Sequence, residues 1–417
     1  MQCIVKGLSF FCSKMSMAQL LLSIFLCGVI HLWFLQYVYN FAGNFHTIMS
    51  IARKKNNINK YPNDSKYILL WNDHFMGIKN IESYFRNLNC TKRNCVFTKD
   101  KNLFYDVMRF DAIIFSELAL NSKDRPSRRS KTQLYIFSSQ EPSCNSPACE
   151  LYNDKFFNLT FTYRLDSDVV WSYFVVRNVS GAVVAPRINA TFKTSVKPVS
   201  SEIKSILSRK RKTAAWVVDH CQADSSRDEY LTRLQEHLFH FSLKIDVYGK
   251  CSRMKCPDNN CERMIKENYY FYMAFEDFFT EDYVTEKVLL GYNNYAVPIV
   301  HGGANYTRFL PPGSYMNARE IHPYNLAYAM HKVIKEPALH ETYFRWTNLY
   351  TIEPNSGPHH PLCNLCERIQ DESKESVKNE FRLWWNGLNG MKWCLSDAYW
   401  KENSNVNLDS DHIFHLG

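Results

Sequence analysis

Residues 271–287 read FYMAFEDFFTEDYVTEK. The opening of this run, with Tyr269 and Tyr270 before it, is apolar and aromatic and reads as a buried strand over 269–275. It turns acidic at Glu276 and Asp277. A helix is expected over 282–292, with Tyr283, Glu286 and Lys287 in its first turns. Next, 296–300 (AVPIV) reads as a second strand, ending at His301-Gly302-Gly303. Strand, helix and strand in this order build a parallel unit whose ligands sit beyond the strands' carboxyl ends. The charged residues fall at that end. A helix N-terminus favours phosphate through its free N–H groups. Lys287 adds a full positive charge, and Glu286 can accept from ribose hydroxyls. An ordinary charged surface at a helix start reads the same pattern equally well.

The alternation continues outward. Strand-like runs occupy 66–71, 111–115, 133–137, 213–218 and 244–248. Residues 228–239 have helical spacing, with Tyr230, Leu231, Leu234 and Leu238 on one stripe. The polar stretch 193–212 is the expected interdomain hinge and holds a short helix over 202–207 that Ser201 can cap. The fold class is therefore α/β. The expected parts are a first α/β domain over 66–200, a second over 201–370, and a tail, 371–417, packing back on the body.

Hydrophobic residues make up 46% and aromatics 15% of the 417 residues, enough to bury a large core. The net charge of +9 favours anionic partners. No nucleic-acid-binding pattern accompanies it, so no nucleic-acid partner is expected; a nucleotide diphosphate suits the charge. From 15 to 52 there is no Asp, Glu, Lys or Arg. Within it, 18–41 is long enough to cross a bilayer as one helix, which takes about 20 residues. The chain is thus expected to carry a tail over 1–17, one membrane anchor over 18–41 and a stem over 42–65. A signal peptide cleaved near Ala42-Gly43 is the alternative.

Lysines and arginines flank the apolar run on both sides, so charge does not orient it. Six glycosylation sequons do: Asn63, Asn89, Asn158, Asn178, Asn189 and Asn305 all follow it. They place the body in a lumen, in type II topology. Of 14 cysteines, eleven lie in this body. An oxidising lumen makes several of them disulfides, and the odd number leaves at least one thiol free or paired between chains. Cys363-x-x-Cys366 has zinc-like spacing, but the other cysteine spacings do not complete a compact zinc module.

The 271–312 stretch, with 296–300 and 305–312 (NYTRFLPP), closely resembles the donor-binding signature of the alpha-1,3-fucosyltransferases. Segments 162–168 (TYRLDSD), 216–221 (WVVDHC) and 246–249 (DVYG) resemble further family motifs in the same order. The resemblance covers about 67–393. It implies two Rossmann-like domains facing a cleft (the GT-B type), Golgi residence, and inverting transfer of fucose from GDP-fucose with no obligatory cofactor. Manganese is allowed as a stimulator, and no metal site is assigned. Lys287, Tyr283, Glu286 and Glu276 carry over as donor-binding residues. Asp277 stands where the family usually has Asn, and an ionised Asp only accepts hydrogen bonds. Arg227 resembles the family's donor-phosphate arginine in position. Glu141, in Gln140-Glu141-Pro142-Ser143, resembles the general base. Aligned on Pro142 without a gap, the family's acid falls on Gln140, so Glu141 serves only if the loop shifts by one residue.

Cys363 and Cys366 resemble the family's closing Cys-x-x-Cys region and are expected in disulfides. The expected acceptor is the 3-hydroxyl of GlcNAc on an N-glycan or glycoprotein, core or antennal. Two alternatives stand: a weak or inactive sugar-binding relative, and a GT-A-type transferase using manganese on Asp166 and Asp168.

Overall fold

The computed structural model describes residues 16–58, 64–72, 78–120, 123–221, 223–371 and 377–394. The chain divides into two units, Met1–Ser65 and Lys66–Gly417. The described part of the first is one helix, Met17–Ile58. Judged on the described residues, no helix is long and apolar enough to cross a membrane. Asn63 and most of the expected tail lie outside the described residues.

The second unit holds two parallel sheets. The first orders β2 (Cys95–Thr98), β1 (Lys66–Leu70), β3 (Ala112–Ser116), β4 (Leu134–Ser139), β5 (Leu159–Thr162) and β6 (Val169–Val170). The second orders β10 (Ile245–Tyr248), β9 (Lys212–Val217), β11 (Tyr269–Phe275), β12 (Val297–His301) and β13 (Met316–Asn317). The central strands β3, β4, β11 and β12 are buried along almost their whole length. Parallel strands covered by helices on both faces require continuous apolar runs, and these segments supply them. The α/β expectation holds in both halves.

The expected 201–370 domain is not a clean block. β14 (Tyr350–Pro354) returns to pair antiparallel with β7 (Phe174–Asn178), which also pairs with β8 (Val183–Ala185). The helix Pro361–Gln370 buries Leu362, Leu365 and Ile369 in the core of the first sheet, with Ile68, Ile114 and Phe161. Disulfides Cys90–Cys363 and Cys95–Cys366 fasten it there. The helix Phe381–Cys394 also joins the first sheet: Phe381 and Trp385 set their rings edge-on to Phe137 at 4.9 and 4.8 Å.

Two boundaries are corrected. The cap of the helix Ser201–Leu207 is Ser200, whose hydroxyl accepts from the Ile203 N–H. The helix expected over 282–292 begins only at Lys287 and runs Lys287–Tyr292. Asp282 adopts φ +57°, which no helix continues. Tyr283 and Glu286 therefore lie in the turns before the helix.

Candidate active site

Both sheets end at their carboxyl edges in loops that carry the charged residues, and the loops of the two sheets touch. The donor-side loop is organised by a buried acid. Glu276, the first residue past β11, is fully buried. Its carboxylate accepts from the Thr285 N–H at 2.8 Å and the Thr285 hydroxyl, and lies 3.4 Å from the Lys287 ammonium. Burial pushes the Glu276 carboxyl up, against the pull of Lys287 and the Thr285 donors. Its bonds to Thr285 hold residues 282–286 as a turn. Gly302 and Gly303 let this loop close: a Cβ on Gly303 would stand 2.6 Å from the Thr280 backbone, and one on Gly302 would stand 2.7 Å from the Tyr306 hydroxyl.

Asp277 joins the cations. One of its oxygens accepts from Arg227 and the other from Lys287, at 3.0 Å. Arg227 is only 1% exposed; it also donates to the carbonyls of Phe275 and His220 and sits over the Trp216 ring. Two of the expected donor-binding residues lie inside the fold. Arg227 is held there by Phe275, His220, Asp277 and the Trp216 ring, and Glu276 by Thr285 and Lys287. Lys287, with 28% of its side chain exposed, and Glu286 and Glu281, both exposed, are charged groups of this loop that face outward.

The opposing loop follows β4. Glu141 is exposed, its N–H donates to the Ser139 hydroxyl at 3.0 Å, and its carboxylate accepts from the Asn145 amide at 3.2 Å. The neighbouring Gln140 turns its backbone carbonyl to the Tyr173 hydroxyl, 2.7 Å away. The Tyr173 ring meets Tyr283 edge-on at 6.1 Å, Cys144 of the Glu141 loop lies 3.3 Å from the Thr280 hydroxyl, and the charge of Glu141 bears on both phenols. Burial is the main force holding both phenols far above their ordinary pKa, so they remain donors. The structure therefore brings Glu141 to the same seam as Tyr283, Glu286 and Lys287. Sequence reasoning missed Tyr173, because an isolated tyrosine in a Trp-Ser-Tyr connector carries no pattern.

Residues 207–384 match the glycosyltransferase family 10 (fucosyltransferase) C-terminal domain, and 63–174 match the fucosyltransferase N-terminal domain. Alpha-(1,3)-fucosyltransferase C of Drosophila melanogaster is 34% identical over 347 residues, 78% of this chain and 79% of that relative. The chain belongs to the family 10 fucosyltransferases. A 3-galactosyl-N-acetylglucosaminide 4-alpha-L-fucosyltransferase of Pan troglodytes is 32% identical, over 70% of this chain and 73% of its own length. A crystal structure of an alpha1,3-fucosyltransferase with GDP-fucose is 14% identical, covers 74% of this chain and 90% of that one, and has a TM-score of 0.47. The expectation of an alpha-1,3-fucosyltransferase holds.

In this fucosyltransferase the Asp166-Ser-Asp168 pair is committed elsewhere. Asp166 receives Arg164 at two points, 2.9 and 2.8 Å, and the Trp384 indole at 3.0 Å. Asp168 accepts from Thr160 and from Lys378, both partners within 2.8 Å. Each acid thus already has cation and hydrogen-bond partners, which counts against a shared manganese. Among the described residues, no group of three or more His, Cys, Asp or Glu is placed to hold a metal.

The fucosyltransferase body pairs ten cysteines: Cys149–Cys394, Cys221–Cys251 and Cys256–Cys261 join the two bridges named above. Cys363 and Cys366 are disulfide-bonded, as expected. Cys144 is the free thiol that the odd count required. Of the sequons, Asn89, Asn189 and Asn305 are exposed and Asn178 is half-buried. Asn158 is corrected: it is 6% exposed, and its amide oxygen accepts from the Tyr135 N–H and from Arg129, so it has no room for a glycan in the folded body.

Proposed function

We propose that this fucosyltransferase moves fucose from GDP-fucose to the 3-hydroxyl of a GlcNAc on an N-glycan, with inversion and without an obligatory metal. The observation that carries the reading is the meeting of Glu141 with Tyr283, Glu286 and Lys287 at one seam. Glu141 takes the acceptor hydroxyl's proton as that oxygen attacks the fucose anomeric carbon. Lys287 faces the charge that grows on the departing GDP, and fixed cations are most effective where charge develops. Glu286 serves the ribose. The N-acetylglucosaminide in the name of the Pan troglodytes relative supports GlcNAc as the acceptor.

The site of action in this reading is the Golgi lumen, with the body anchored by the N-terminal helix. Support comes from the charge-free run, from exposed Leu21, Phe25, Ile30, Trp33 and Phe34 on that helix, and from five disulfides in the body. The deciding assay incubates the full chain with GDP-fucose and two acceptors, a core N-glycan peptide and an N-acetyllactosamine sugar, with and without chelator. Transfer to one, lost in Glu141→Gln and Lys287→Ala, supports the reading and selects core or antenna. Intact GDP binding without transfer to either favours the sugar-binding alternative; complete loss in chelator favours the manganese alternative.

A further inference from the structure

A recess of about 300 Å³ reaches from Thr160 on β5 to Asp166 in the loop after it, and Lys378, Asn379, Glu380, Phe381 and Trp384 also line it. Its position follows from the sheet. β4 and β5 are parallel neighbours, with Ser138 opposite Phe161 and Ser139 opposite Thr162. The loop carrying Glu141 and the loop carrying Asp166 therefore leave the same sheet edge side by side. The second loop also reaches the donor side. The Leu165 N–H donates to Asp282 at 3.1 Å, Arg164 lies 3.8 Å from Glu281, and Tyr163 meets Tyr283 edge-on at 5.1 Å.

The lining selects one ligand chemistry. A pyranose offers a C–H face and a rim of hydroxyls that both donate and accept. An aromatic wall with carboxylates, an amide and an ammonium matches both features. Asp166 is held ionised: burial alone would raise its pKa, but Arg164 outweighs it and draws the carboxyl below the usual range. Its two oxygens are fixed by Arg164 and the Trp384 indole, yet each has further accepting capacity and Asp166 is exposed. Among the lining charges Asp166 is paired with Arg164 and Lys378 with Asp168, and Glu380 adds a negative charge, so an anionic ligand is not favoured there.

We propose that this recess is a subsite for a sugar residue of the acceptor glycan other than the one fucosylated, with Trp384 and Asp166 as its specificity-determining residues. The proposal rests on the fucosyl-transfer reading for its role, but binding can be measured without turnover. The probe is a free core N-glycan oligosaccharide titrated into the full chain in the absence of donor, for wild type, Trp384→Ala and Asp166→Asn. The expected result is a dissociation constant raised about tenfold by Trp384→Ala, the loss of one good contact, and severalfold by Asp166→Asn. GDP affinity is expected to stay as in wild type. Asp166→Asn keeps the side chain's shape, so it reads the site even if Trp384→Ala fails to fold.

In the transfer assay the same variants raise KM for the glycopeptide and leave KM for a simple GlcNAc glycoside unchanged. Equal oligosaccharide binding by wild type and Asp166→Asn, or no binding by wild type, would overturn the subsite. Transfer with unchanged glycopeptide KM would overturn it while leaving the proposed reaction standing. Wild-type binding that the variants lose, without any transfer, would do the reverse.

Discussion

The carboxylate of Asp277 lies 3.0 Å from the ammonium of Lys287, and its other oxygen is taken by the buried Arg227. One acid thus sits between the two cations expected to serve the donor phosphates. It has two opposite consequences. It satisfies Arg227, which would otherwise be an uncompensated buried charge, and it competes with a diphosphate for Lys287. Asp277→Asn separates them, because the amide oxygen can still accept from Arg227 while the negative charge is gone. The expected outcome is tighter GDP binding, by about three- to tenfold, with stability lowered by about 1–3 kcal/mol. Asp277→Ala is expected to cost more, about 3–5 kcal/mol, as one partner of a buried pair is removed. Calorimetric GDP titration and thermal melts read the two effects. Weaker GDP binding in a folded Asp277→Asn would show that the acid orients Lys287 and does not compete with the donor.

The loop bearing Glu141 is held from behind by the helix Phe381–Cys394. Asn386 bonds both the N–H and the carbonyl of Ala148 at 2.8 Å, the Trp385 indole donates to the Ser146 carbonyl at 2.9 Å, and Cys149–Cys394 closes the contact. Asn386→Ala leaves two backbone groups without their side-chain partner, at a cost of about 1–3 kcal/mol. Its kinetic effect is expected on kcat, about tenfold, since a base must stay in reach of its proton. KM for GDP-fucose is expected to hold, because the donor side is untouched. A variant that loses donor affinity and keeps kcat would remove the loop from the role given to it.

Much of this arrangement was legible in the sequence, and the limits have physical reasons. The continuous apolar runs of β9, β11 and β12 read as buried parallel strands, and the structure agrees to within a residue or two. Tyr283, Glu286 and Lys287 were legible because their spacing carries a motif. The burial of Arg227 was not, since a charged residue opening a helix reads as surface until the fold brings Asp277 and the Trp216 ring to it. Nor was the return of residues 361–370 to the first sheet. That packing is set by bridges to Cys90 and Cys95, more than 270 residues away, and spacing alone does not pair cysteines.

Those two bridges are redundant by geometry. Both tie the strip containing Cys90 and Cys95 to the helix containing Cys363 and Cys366, and they close loops of 273 and 271 residues. Either bridge alone closes nearly the same loop in the unfolded chain. Cys95→Ala with Cys366→Ala is therefore expected to cost at most about 1 kcal/mol, while removing both bridges costs about 2–5 kcal/mol. Chemical denaturation of the single and double bridge variants tests this. Additive losses would mean that each bridge acts through its own native packing and not through the shared loop.

The helix that these bridges hold has a titratable cap. His360 is buried, and its Nδ1 accepts from the Leu362 N–H at 3.2 Å. The ring proton is thereby assigned to Nε2, which donates to the Tyr84 hydroxyl, 3.2 Å away. A protonated ring carries hydrogens on both nitrogens and cannot cap. Burial accordingly lowers the His360 pKa from 6.5 to about 4. Because the folded value lies below the unfolded one, the unfolded chain binds the extra proton first. The cap's contribution is complete above pH 6.5 and declines as pH falls toward 4. The full depression sets an upper limit of about 3 kcal/mol on this loss. His340 and His301, also lowered to about 4 by burial, add acid sensitivity in the same window. His360→Asn supplies a cap that does not titrate. The variant is expected to keep most of the wild-type stability at pH 7 and to lose less of it between pH 6.5 and 4, in melts followed across that range. An acid limb as steep as wild type would assign the loss to His340 and His301 and free His360 of it.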